Sequence, residues 1–166
     1  KKAVFIAGVA VTTIATAWVF WATPSSIGML FWLSILWAVG WGPTVPLLWV
    51  MIADVADYSE WKNYRRATGF MFAGILFALK AGLGLGGWIS AQILNFYGYS
   101  PNVGQSQRAL LGIRLGSSIF PAIALALVVV CLFIYPIGKS LNHKIQDDLT
   151  ERRKKYATLN AQATAS

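Results

Sequence analysis

Four long apolar segments dominate the sequence and limit what the chain can fold into. They cover residues 3–23, 28–53, 68–97 and 116–138. A helix needs about 20 mostly apolar residues to cross the hydrocarbon core of a bilayer, where backbone groups must be hydrogen-bonded within the segment. The sequence therefore predicts an all-α integral membrane fold with four transmembrane helices. The content of hydrophobic residues, 57%, agrees with this class.

The basic residues outside the four spans indicate their orientation. Because the flanking segments alternate between the two sides, the first, third and fifth share one side. Of the 14 lysines and arginines, eleven lie in these three segments, Arg108 and Arg114 lie on the opposite side, and Lys80 lies within the third span. We therefore expect both ends of the chain to be cytoplasmic. The net charge of +8 follows from this topology, so we expect no nucleic-acid partner.

A polar tail, residues 139–166, follows the fourth span. Its apolar residues recur at helical spacing, at Leu141, Ile145, Leu149 and Tyr156. This pattern predicts an amphipathic helix along the cytoplasmic surface. The last ten residues, "ATLNAQATAS", are small and polar, and their composition predicts a disordered end.

One charge, Lys80, interrupts the third span, in "GILFALKAGLGLGGW". A charge near the bilayer centre costs roughly 2.5–3.5 kcal/mol on insertion scales, and Lys80 is too far from either end of the span to reach the headgroups comfortably. We therefore expect it to face a water-filled pathway or a carboxylate. Small residues recur every four positions around it and predict close packing against a neighbouring helix, at Gly74, Ala78, Gly82, Gly86 and Ser90.

Two further features lie in and after the second span. Asp54 and Asp57 end it on one helix face, and a charged connector follows. Such acids can pair with basic residues at one end of a carrier, and break those pairs when it opens. Nearer its middle, glycine and proline in "VGWGPTVPLLW" predict a kink or a break. Two interpretations of that break remain open: it is a simple packing kink, or it borders a binding site.

Three ordered motifs resemble the glycoside-pentoside-hexuronide:cation symporter family, which includes the melibiose carrier. They are "MIADVADYSEWKNYRRATG" (51–69), "ALKAGLGLGG" (78–87) and "GYSPNVGQSQRALLGIR" (98–114). The resemblance implies the last four of twelve helices of a major-facilitator-type carrier in a bacterial cytoplasmic (inner) membrane. It implies uptake of a sugar glycoside, pentoside or hexuronide together with Na⁺ or H⁺ by alternating access. The remaining partner would be the amino-terminal helices of the same carrier, which hold the cation-binding carboxylates of the family.

The resemblance also assigns roles to individual residues. It places Lys80 in the region shared by cation and sugar. It also implies cytoplasmic gating charges at Asp54 and Asp57, with Arg65 or Arg66 as their basic partner. Val45 stands where the melibiose carrier has a sugar-facing aromatic residue, with Trp41 and Trp49 nearby. This departure favours a glycoside other than a galactoside. No resident cofactor or metal is implied besides the coupling cation.

Two other classes of protein compete with the carrier. The chain could be an oligomeric structural or channel-forming membrane subunit, in which the glycine stripe serves association and Lys80 forms an intersubunit pair. An integral membrane enzyme is a weaker alternative, because the sequence contains one cysteine and one histidine and offers no clustered nucleophile and base.

Overall fold

The computed structural model describes residues 1–23, 26–64 and 67–165. Within these residues the chain forms seven α-helices and a short 3-10 turn at Val19–Trp21. The helices are α1 (Lys2–Trp18), α2 (Ile27–Trp41), α3 (Thr44–Asn63), α4 (Thr68–Phe96), α5 (Gln107–Ser117), α6 (Ile119–Ile134) and α7 (Lys139–Ala165). Four stretches are long and apolar enough to cross a membrane: Lys2–Trp21, Ile27–Asn63, Thr68–Phe96 and Gln107–Ile134. The expectation of an all-α fold with four such helices is confirmed.

The second apolar stretch is divided into α2 and α3. The division falls at Gly42 and Pro43, within the segment where glycine and proline predict an interruption. Pro43 precedes α3 and Pro46 lies in its first turn. A proline in the first turn lacks only an N–H that has no intrahelical acceptor, so the sequence starts a new helix here without losing a backbone hydrogen bond.

The fourth apolar stretch is also divided, at Ser118, between α5 and α6. It begins nine residues before the predicted span, because Ser106 caps α5 by accepting a hydrogen bond from the backbone N–H of Ala109 at 3.1 Å. Arg114, near the end of α5, donates to the carbonyl oxygen of Phe20 and lies over its ring. This contact ties α5 to the turn after α1.

Helix α1 lies at the centre of the packing and contacts α2, α3 and α6. Its core consists of Phe5 and Val9 with Met51 of α3, and side chains of α3 and α6 pack around them. Against α2 the backbones come close: a Cβ atom on Gly8 would lie 2.6 Å from the carbonyl oxygen of Gly40. Glycine at both positions lets the two helices approach with little side-chain volume between them.

Helix α7 packs on α3, and the predicted apolar stripe is buried at Ile145 and Leu149 but not at Tyr156, which is 65% exposed. Ile145 and Leu149 are 1% and 2% exposed, so this face is covered by protein. The helix continues to Ala165, whereas composition predicts disorder over the last ten residues. The difference has a local reason, because the alanines, leucine and glutamine of that segment favour a helix once a preceding one has nucleated it.

Candidate functional site

Lys80 lies near the middle of α4, twelve residues after Thr68 and sixteen before Phe96. At 1.5 Å per residue these separations correspond to about 18 Å and about 24 Å along the helix. The Lys80 side chain is exposed, and within the described residues it has no hydrogen bond, ion pair or cation–π contact. The structure therefore places this ammonium group deep within an apolar helix without a compensating group from the described part of the chain.

The surroundings of α4 explain why Lys80 is unpaired. None of the residues of α4 is buried by the rest of the described chain. A Cβ atom added at Gly74, Gly82, Gly84, Gly86 or Gly87 would meet no heavy atom within 4 Å. The small-residue stripe is therefore open, in contrast to Gly8 and Gly40, where two helices of this chain are already in contact. A helix of this kind needs a partner that the described residues do not supply.

The family resemblance assigns three residues near the break between α2 and α3 to the substrate pathway: Trp41, Val45 and Trp49. Trp41 and Val45 are 38% and 45% exposed, and Trp41 stacks on Trp37 with ring centroids 5.8 Å apart. Trp49 is half-buried and stacks on Phe72 of α4 at 6.1 Å. The structure thus brings Trp49 to α4. Among the described residues, neither Trp41 nor Trp49 makes a cation–π contact with Lys80.

The two acids at the end of α3 have different partners. Asp54 is buried and accepts hydrogen bonds from Nζ of Lys1 at 2.9 Å and 3.0 Å. Lys1 precedes α1, so this ion pair joins α1 to α3 beside the Phe5, Val9 and Met51 core. Asp57 is half-buried and accepts a hydrogen bond at 2.7 Å from Nε2 of Gln146 on α7. Positions 65 and 66, which hold the predicted basic partners, lie outside the described residues.

A second group of polar contacts joins the last turns of α3 to α7. Nε1 of Trp61 donates to Asp148 at 2.7 Å, and Arg153 forms an ion pair with Glu60 at 2.9 Å. The guanidinium of Arg152 lies 4.5 Å from the ring centre of Tyr64. Tyr64 has a φ of 55° and ends α3 in the left-handed region. Helix α7 therefore holds the end of α3 directly before the connector to α4.

Sequence reasoning missed Lys1, Gln146 and Asp148 as partners of this end of α3. The apolar repeat in the tail was the available signal, because a helix with a buried stripe brings the polar residues beside that stripe to its neighbour. Nothing in the spacing indicated which helix that neighbour would be. The pairs are separated by 53, 89 and 87 residues, so no local pattern relates them.

Comparison with known proteins gives the family. Residues 1–139 match the model of the family described as MFS/sugar transport protein. The chain is 27% identical over 154 residues to a glucuronide carrier protein homolog of Escherichia coli (strain K12), covering 93% of this chain and 34% of that protein. It is 35% identical over 130 residues to an isoprimeverose transporter of Lactiplantibacillus pentosus, covering 78% of this chain and 26% of that protein.

A third relative is a putative glycoside/cation symporter, YagG, of Escherichia coli (strain K12). It is 32% identical over 133 residues, covering 79% of this chain and 29% of that protein. The chain thus spans between about a quarter and a third of the length of these relatives. No solved structure matches. The resemblance drawn from the three motifs is confirmed: the chain belongs to the MFS/sugar transport protein family.

Proposed function

We propose that this chain is the carboxy-terminal part of a secondary transporter that couples uptake of a sugar to Na⁺ or H⁺ by alternating access. The observation that supports the proposal best is Lys80, a charge in the middle of an apolar helix that the described residues neither pair nor cover. A membrane protein retains such a charge where it faces a polar pathway or an acidic partner. Both would be completed by helices outside this chain.

The class of cargo is proposed from the relatives and from the aromatic side chains. The relatives are named as a glucuronide carrier homolog, an isoprimeverose transporter and a glycoside/cation symporter. We propose a glycoside, pentoside or hexuronide as substrate. Trp41 presents an exposed ring beside the break between α2 and α3, where it could contact the apolar face of a sugar. Val45, in the first turn of α3, is also exposed and is smaller than an aromatic side chain, so it would leave room for a substrate.

The acids at the end of α3 are proposed as gating charges. Asp57 precedes the connector that contains Arg65 and Arg66 in the sequence, and its partner among the described residues is a neutral amide. A carboxylate bonded to an amide can exchange that partner for a guanidinium at modest cost, because charge-assisted hydrogen bonds are stronger than neutral ones. Asp54 is bonded to Lys1 within the bundle, so we propose that it holds α1 and α3 together while Asp57 exchanges partners.

Exchange of labelled sugars tests the proposal without requiring a gradient. The complete carrier is reconstituted into vesicles loaded with each unlabelled sugar in turn, and entry of the same labelled sugar is followed. We expect exchange for a small set of glycosides, pentosides or hexuronides. Exchange of none of them by correctly inserted protein would remove the sugar assignment.

An oligomeric membrane subunit remains the second candidate, because the open glycine stripe of α4 would also suit association between copies. The two candidates predict different neighbours for α4. Cross-linking from a cysteine placed at Gly82 would reach another segment of the same polypeptide in a carrier, and a second copy in an oligomer. The mass of the cross-linked product separates these outcomes.

A further inference from the structure

A cavity of about 570 Å³ lies at the end of the bundle where α6 stops and α7 begins. Its volume is within the range of about 300–1,000 Å³ that small-molecule sites occupy in proteins. The walls come from five parts of the chain: the start of α1, the middle of α3, the end of α6, the segment joining α6 to α7, and the first turn of α7. The cavity therefore depends on the same packing that brings α7 to the bundle.

The cavity has an apolar wall and a basic rim. Ile6, Met51, Phe133 and Ile137 form most of the apolar side. The charged lining residues are Lys1, Lys2, Lys139 and Asp54. Because Asp54 is bonded to Lys1, two lysines remain without a carboxylate partner within the described residues. His143 also lines the cavity and adds a further nitrogen donor or acceptor to the rim.

Lys2 is held in position to contact an anion. Its ammonium group donates to the backbone oxygens of Tyr135 at 2.6 Å and Phe133 at 3.3 Å. An ammonium has three protons, so these two bonds orient the group and leave one proton for another acceptor. Lys139, at the start of α7, is exposed on the same rim.

The cavity lies at a level of the bundle where its basic rim would meet lipid headgroups and its apolar wall would meet acyl chains. Helix α6 is apolar to Ile134, whereas α7 begins with Lys139 and is predominantly polar. The cavity therefore lies where the hydrocarbon region gives way to the headgroup region. Basic pockets beside membrane helices suit the phosphate of anionic lipids, and the apolar wall suits an acyl chain. A water-soluble anion would leave that apolar wall uncovered.

We propose that this cavity binds one anionic phospholipid, with the phosphate on Lys2 and Lys139 and an acyl chain against Ile6, Met51 and Phe133. The two phosphate-binding lysines are separate from the sugar pathway and gating charges proposed above, although Asp54 also lines the cavity. Lipid binding can therefore fail while transport persists, and the reverse.

Native mass spectrometry of the complete protein tests the proposal. The protein is purified in detergent with equal amounts of phosphatidylglycerol and phosphatidylcholine, and the retained molecules of each are counted. We expect one phosphatidylglycerol to be retained in preference to phosphatidylcholine. The double variant Lys2→Gln/Lys139→Gln should reduce that preference about tenfold, since each lysine near a headgroup contributes favourably to binding.

The matched control is Lys154→Gln/Lys155→Gln. It also removes two positive charges, but from residues of α7 that do not line the cavity. We expect it to retain the preference for phosphatidylglycerol. Equal loss in both double variants would show a general charge effect and overturn the site, as would the absence of any preference in the unmodified protein.

Two further measurements distinguish a bound lipid from a bound soluble phosphate. Phe133 is 68% exposed, so Phe133→Ser should leave the bundle folded while weakening lipid retention several-fold through loss of apolar contact. Glycerol 3-phosphate at millimolar concentration should not displace the lipid. Complete displacement by that soluble phosphate, with no effect of Phe133→Ser, would show a site for a free anion and contradict the proposal.

Discussion

Lys80 places a charge in the middle of a long apolar helix, where a charge is electrostatically unfavourable. An ammonium at the centre of a transmembrane helix costs about 2.5–3.5 kcal/mol on insertion scales, and its stem cannot span the roughly 18 Å to the nearer helix end. Within the described residues no group compensates that cost. Water in a pathway or an acid on another helix would offset this cost, and both fit the role proposed for Lys80.

Replacing Lys80 with glutamine in the complete carrier should abolish accumulation of sugar while the protein remains inserted. The coupling free energy between two sites is about 1–3 kcal/mol in typical cases, so we expect accumulation to fall by about 5- to 150-fold. Initial accumulation in cells measures the effect, with immunodetection of the membrane fraction to establish insertion. Lys144→Gln, on α7, is the control. Normal accumulation by Lys80→Gln would remove Lys80 from the pathway.

The acids of α3 lead to a second prediction at the same scale. The double variant Asp54→Asn/Asp57→Asn should disturb gating or assembly, because it removes the ion pair to Lys1 and the charge that Gln146 contacts. A fully buried ion pair broken on one side costs about 3–5 kcal/mol, and we expect a smaller loss here because the Lys1 side chain is 46% exposed. Uptake kinetics and the yield of folded carrier measure these two effects. Unchanged values of both would refute the roles given to the two acids.

The helices themselves were largely predictable, because each depends on local composition. Twenty or more apolar residues in sequence define a span, and glycine and proline at positions 42 and 43 predicted the break between α2 and α3. Contacts between helices were not predictable in the same way. Gly8 and Gly40 lie in separate apolar runs, and nothing in either run indicates that their backbones meet.

That close approach gives a prediction about stability. Gly8→Ala would place a Cβ atom 2.6 Å from the carbonyl oxygen of Gly40, and a backbone oxygen cannot move aside as a flexible side chain can. We expect a loss of about 1–3 kcal/mol, the usual cost of overpacking. The thermal unfolding temperature in detergent measures it. Gly28→Ala is the matched control, since its Cβ would meet no heavy atom within 4 Å. Equal unfolding temperatures for the two variants would contradict the packing of α1 on α2.

At the scale of the whole molecule, the described helices form two unlike parts. Helices α1, α2, α3 and α6 pack around the Phe5, Val9 and Met51 core, whereas α4 has no buried residue. A soluble protein would not expose such a helix, and a lipid-facing helix would not contain Lys80. The arrangement suits a portion of a larger bundle in which α4 lies beside the central pathway.

The extent of α4 could be predicted from the sequence, whereas its partners could not. The apolar length is a local feature, and the single helix Thr68–Phe96 confirms it. The packing expected of the small-residue stripe and the role expected of Lys80 stay predictions. The candidate site is different, because Lys80 meets no partner in the described residues and Arg65 and Arg66 lie outside them. The sequence of one helix does not reveal which residue of another helix will contact it.

Coupling of sugar uptake to a cation can be measured as accumulation by the complete carrier in vesicles. Vesicles containing the purified protein are given an inward gradient of Na⁺ or, separately, of H⁺, and the internal concentration of an exchanged sugar is followed. We expect one gradient to raise the internal sugar concentration above the external one, and collapse of that gradient to release the sugar. Entry that stops at equal concentrations under both gradients, by inserted protein that exchanges the sugar, would contradict the account.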